Sequence, residues 1–158
     1  MKADVSLLRH TLATLAYRGR KAVTGAPRDF ARFKASPTTR TPGEILAHVG
    51  DLMDWAVALA DGKHIWRNSK PQAWNRDVAR FFAGMKRFDK RLAGGMPLRS
   101  PVENLFQGPI ADALTHVGQI AMLRRMAGSA VKGENYFKAK ISAGRVGRKQ
   151  RKPVFEFE

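Results

Sequence analysis

Asp112 and His116 stand four residues apart in a stretch, residues 111 to 128, that reads as a single helix. That spacing projects both side chains from one face. Far upstream, His48 falls on an apolar stripe made by Ile45, Val49, Leu52, Trp55, Ala56 and Leu59. Two histidines and a carboxylate, projecting inward from facing helices, are the donor set of a divalent metal site in a helical bundle. Such a set leaves coordination positions open, as in catalytic zinc and non-haem iron centres. An open site lowers the pKa of bound water or polarises a substrate oxygen. Each residue also has a plainer explanation. A histidine on an apolar face can be a hydrogen-bonded core residue. Asp112 follows Pro109 by three positions, where the dipole of a restarted helix would favour a carboxylate without any metal.

Other chemistry is thin. No G-x-S-x-G occurs, no glycine-rich phosphate loop follows a strand, and serine and histidine form no evident triad. With no cysteine, the chain has no disulfide, no thiolate ligand and no cysteine nucleophile. His10, beside Arg9, reads as a surface residue, and His64 as a loop residue. Trp55, Trp66 and Trp74 cluster around the end of the second helix and the start of the third, where they fill packing or wall a small-molecule pocket.

Four helices are needed to position these residues. The first is expected over residues 4 to 23, with Leu8, Leu12, Leu15 and Ala16 in helical period and Gly25 and Pro27 after its end. Residues 26 to 41 make a connection long enough to cross a bundle end. Thr41-Pro42-Gly43-Glu44 is a capping box with proline at the first helical position, so the second helix starts there and stops at Gly62. The third carries Val78, Phe81, Phe82, Met85, Phe88 and Leu92 on one face, after a weaker start around Ser69 to Gln72. The fourth opens with a second apparent capping box, Ser100-Pro101-Val102-Glu103. Gly108-Pro109 then predicts a kink or restart before residues 110 to 126. These patterns predict an all-α four-helix bundle over residues 1 to 128. Residues 129 to 158 are expected to form an irregular basic extension, partly docked through Tyr136, Phe137 and Ile141. Val154 to Glu158 alternates, but five residues do not establish a strand.

The charge balance is unusual: 29 Lys and Arg against 13 acids in 158 residues, a formal net charge of +16. That surface attracts anions, and non-specific binding to nucleic acid follows from charge alone. A non-enzymatic basic bundle, binding nucleic acid or a protein partner and carrying a degenerate metal site, is therefore the alternative to a metalloenzyme. There is no run of about 18 apolar residues, so no membrane span is expected. The absence of cysteine and of a visible secretory signal fits a cytoplasmic protein.

Two segments together carry a family resemblance: Glu44-Ile-Leu-Ala-His48-Val-Gly-Asp-Leu, and Thr115-His116-Val-Gly-Gln119-Ile-x-x-Leu-Arg-Arg-x-x-Gly128. Over residues 3 to 128 the chain resembles the DinB/YfiT-like superfamily of bacterial four-helix-bundle metalloenzymes. Members typically place one histidine on the second helix and an H-x-x-x-H pair on the last. By position His48 matches the helix-two ligand and His116 the second histidine of the pair. Asp112 stands where the family has the first histidine, which gives the site harder character. The resemblance implies a divalent ion, often nickel or zinc, held by His48, Asp112 and His116, and frequently a homodimer. Relatives include thiol S-transferases that use bacillithiol or mycothiol and a maleylpyruvate isomerase. It names no general base for this chain.

Overall fold

A computed structural model describes residues 2 to 157; Met1 and Glu158 lie outside them. The long α-helices are α1 (Lys2–Val23), α2 (Pro42–Ala60) and α3 (Trp74–Ala93). A fourth helical rod consists of α4 (Val102–Leu105), a π-helical turn (Phe106–Ile110) and α5 (Ala111–Met126). α2 packs against α3 and α5, and α1 against α5 and α3, so the four rods surround one core. Leu12, Leu15, Val49, Met53, Phe81, Phe88, Leu105, Ile110 and Ile120 fill it, all fully buried. The expected all-α class is what the chain adopts. No helix among the described residues is long and apolar enough to cross a membrane.

The start of α2 follows its sequence signal. Glu44 N–H donates to Thr41 Oγ1 and Thr41 N–H to Glu44 Oε2, so both halves of the capping box form. The second apparent box does not. α4 has Pro101 at its N-cap with no side-chain cap, and Ser100 Oγ donates instead to the Leu59 carbonyl, 2.7 Å away, at the end of α2. The hydroxyl adds a bond to a carbonyl at the end of another helix and is lost to its own. α3 likewise begins later than the serine at 69 suggests. Ser69 N–H and Oγ–H both donate to Asp51, at 2.8 and 2.6 Å, which ties the incoming loop to α2.

Pro109 neither breaks the fourth rod nor restarts it. Ala111 N–H reaches back to the Phe106 carbonyl, and Ile110 and Ala111 keep right-handed helical dihedrals. A π turn absorbs the bond that proline cannot make. The rod therefore has no free N-terminus below Asp112.

The tail is fastened to the bundle by buried polar contacts. Gly133–Glu134 pairs antiparallel with Glu156–Phe157, a two-residue ladder that the sequence pattern alone did not establish. Glu134 is buried and accepts from Tyr17 Oη–H at 2.7 Å and Lys21 Nζ at 2.8 Å, both on α1. Burial, reinforced by this carboxylate, holds the Tyr17 phenol far above its usual range. Val146 enters the core. Phe137, expected to dock, is instead 98% exposed, on a turn where Asn135 Oδ1 caps its N–H.

Arg124 is 95% removed from solvent yet faces no carboxylate; its exposure is 5%. Its guanidinium donates to the carbonyls of Ala22, Thr24, Gly25 and Ser129 and to Ser129 Oγ. Burial alone pushes its pKa below the usual arginine value. The orphan carbonyls at the ends of α1 and α5 supply the negative potential it needs. A lysine has one nitrogen to cover positions that the planar fork covers with three. Arg124→Lys is expected to lower stability by about 1–3 kcal/mol in urea titrations, with no change in helix content of the folded state.

Asp51 is another buried charge. Burial would raise its carboxyl pKa, but hydrogen bonds from Ser69 and from the Arg80 guanidinium outweigh that and leave it below 3.8. Its stabilisation is complete above about pH 4 and is lost as pH falls through the depressed folded value. Asp51→Ala, which leaves Arg80 without its most buried partner, should cost about 3 kcal/mol at pH 7. The loss in urea midpoint between pH 5 and pH 3 should be smaller in Asp51→Asn than in the natural chain.

Candidate metal centre

His48, on the second turn of α2, and Asp112 and His116, on consecutive turns of α5, come together where these helices pack. Just over a turn of helix separates Glu44 in the capping box from His48, so the cap that starts α2 also sets the height of the ring. On α5 the π turn sets the angle. An extra residue in one turn rotates everything after it by about 100° relative to an unbroken α-helix. Gly108 in that turn lies against Trp55, whose ring would be 3.7 Å from a Cβ at this position.

Asp112 lies between the imidazoles. Its Oδ2 is 3.5 Å from His48 Nε2 and its Oδ1 3.4 Å from His116 Nε2. The rings meet edge to face, 4.7 Å between centroids and 87° between planes. All three ligand atoms lie within 4.8 Å of one another. Donors about 2.1 Å from a tetrahedral zinc lie about 3.4 Å apart; here each histidine nitrogen is near a different Asp112 oxygen, so a single oxygen serving both requires the carboxylate to turn. The widest separation exceeds that edge, so the rings would draw together around an ion. The group could hold a metal ion, and its two nitrogens and one carboxylate suit a divalent one.

Hydrogen bonding favours this. His116 Nδ1 is 2.7 Å from Gln119 Oε1, an acceptor, so Nδ1 carries the proton of the neutral ring. Its Nε2 then faces the Asp112 carboxylate, where both could ligate one cation. A ligating histidine whose other nitrogen donates to a fixed acceptor is oriented in this way in metal sites generally. Burial, and next the neighbouring His116, pushes the His48 pKa below 6.5, although Asp112 acts upward. His48 is therefore neutral at pH 7, the form that ligates.

Trp66 packs edge-on to His48 at 5.5 Å, and Trp55 edge-on to Trp66 at 5.6 Å. These two tryptophans wall one side of the cluster. Trp74 does not; it packs on Phe30 at 5.4 Å. His10 and His64 are exposed and do not belong to the cluster. On the other side opens a groove of about 960 Å³ whose lining includes His48, His116, Gln119, Thr39, Arg40 and Met122. Sequence reasoning gave no role to Gln119 or Arg40, whereas Trp66 was already a candidate pocket wall. Gln119 was legible as His116 plus three, which is hydrogen-bonding distance on a helix. Arg40 carried no signal, because nothing in a connecting loop says which way it faces.

In comparisons with family models, curated proteins and solved structures, none matches this chain.

The Gln119 contact has a direct readout. At pH 8 in metal-free protein, nitrogen-15 shifts of His116 should show Nδ1 protonated and Nε2 bare. Gln119→Ala should move the ring toward the other tautomer, with Nε2–H facing Asp112.

Proposed function

We propose that the chain is a DinB-like metal-dependent enzyme, of the hydrolase or thiol S-transferase type, with one divalent ion held by His48, Asp112 and His116. The observation that carries this reading is the convergence of three ligand atoms, one each from His48, Asp112 and His116, within 4.8 Å of one another. The helix-two histidine and the His116-Val-Gly-Gln-Ile segment support it independently of the geometry.

An ion with open positions there would make a bound thiol or water more acidic or polarise a substrate carbonyl. The chain's own residues do the rest. Gln119 holds the His116 ring so that Nε2 faces the cluster. Asp112, an oxygen donor where the resemblance would put a third nitrogen, favours a harder ion and offsets its charge. Trp66 and Trp55 restrict water on one side, and the groove admits a ligand on the other. Asp112 is 45% exposed in its side chain, so the cluster is reached from solvent.

The test is elemental analysis of protein loaded with zinc or nickel and passed over a desalting column. About one equivalent is expected on the natural chain, with little on His48→Ala or His116→Ala. Asp112→Asn should retain metal at an affinity roughly 10–100-fold lower, and so should Gln119→Ala. A natural chain that takes up no metal under any loading condition contradicts the proposal.

A further inference from the structure

The groove beside the cluster has a composition of its own. Ile45 from α2 and Leu123, Met122 and Met126 from α5 give it apolar walls. Met122 is 60% exposed and Met126 55%, so the thioethers stand open to the groove and not packed in the core. Gly118, one turn before Met122, also lines the groove, and a Cβ there would meet nothing within 4 Å. The α5 backbone is thus bare at this point, and a ligand can lie directly on it. Exposed methionines adapt to apolar ligands of irregular shape.

The polar side is one-signed. No carboxylate lines the groove among the described residues, and Arg40 is its one permanently charged side chain. Among the described residues Arg40 makes no hydrogen bond and no ion pair, although its charge is felt by both Glu44 and His48. The loop that presents it is ordered by its own contacts. Lys34 Nζ donates to the Thr39 carbonyl at 2.9 Å, and Thr39 Oγ1 accepts from Ser36 N–H and donates to the Ser36 carbonyl. Several other arginines of the bundle face carboxylates: Arg9 pairs with Asp89, Arg80 with Asp51 and Asp54, and Arg91 with Asp61. Arg40 has an unspent fork of donors and stands immediately before the α2 N-cap Thr41, in the lining of the groove.

We propose that this groove takes a small amphipathic anion: an apolar chain or ring lies against Ile45, Leu123, Met122 and Met126, its carboxylate or phosphate pairs with Arg40, and the adjoining group is presented to His48, Asp112 and His116. The last element rests on the metal reading above; the anion and apolar elements do not. An arginine fork matches both carboxylate and phosphate bidentately, so either headgroup satisfies the geometry.

The probes are octanoate, octyl phosphate and octanol, titrated into the full-length, metal-free chain and followed by backbone amide shifts. At least one of the two anions should bind about tenfold or more tightly than octanol, with shifts at residues 39–48 and 115–126. The tighter of the two identifies the headgroup. Arg40→Gln should bring that anion to the level of octanol and leave octanol itself unchanged. Met126→Ser should weaken all three probes together. Arg148→Gln, on the exposed tail, measures what diffuse positive charge contributes and should leave anion binding intact. The proposal is overturned if the anions bind no more tightly than octanol, if Arg40→Gln has no effect in a chain with unchanged melting temperature, or if Arg148→Gln weakens anions as much. Repeating the titration with zinc separates the two readings. Arg40-dependent anion binding in a chain that takes up no zinc supports this groove and removes the metal. Zinc uptake without Arg40-dependent preference does the reverse.

Discussion

Every feature of the candidate centre depends on how the fourth helical rod passes Pro109. Proline cannot donate, and its ring crowds the carbonyl one turn back. The chain answers with a π turn, which widens the helix by one residue and keeps the backbone helical from Val102 to Met126. The faces of the rod are rotated after that point. Leu105 and Ile110 point into the core before and within the turn, and Asp112 and His116 point at α2 after it. Ala111 N–H is already bonded to Phe106. Asp112 therefore does not sit at an open helix start, and dipole capping does not account for its presence.

The helices were legible because their apolar periods and caps are local. Thr41 and Glu44 need only each other, so the start of α2 could be read directly. Ser100 and Ser69 show the limit. Each has the residue type of a cap, but each finds a stronger partner far away in sequence, the Leu59 carbonyl and the Asp51 carboxylate. The ligand residues were legible by type and spacing, and the structure brings all three together. Their surroundings were not. Whether Trp66 touches His48, or Arg40 faces the groove, is decided by loop paths that leave no periodic trace.

The tail and the buried arginine show the same division between local and distant causes. Leu-Arg-Arg in α5 looks like ordinary positive charge at a helix end, and Arg125 follows that rule as an exposed side chain. Arg124 turns inward and closes the carbonyl ends of two helices at once. The two-residue ladder of the tail depends on Glu134 being held under Tyr17 and Lys21, more than a hundred residues earlier. The basic run between these anchors stays largely at the surface, so the high net charge coexists with an ordered extension.

The central claim is that one cation is held between His48, Asp112 and His116. Diffraction from crystals soaked in zinc, collected on both sides of the zinc absorption edge, tests it most directly. The account predicts one anomalous peak about 2.0–2.2 Å from His48 Nε2, an Asp112 oxygen and His116 Nε2, with the Gln119 contact to His116 preserved. No peak at that position, with Asp112 turned to solvent and the two rings unchanged, would contradict it.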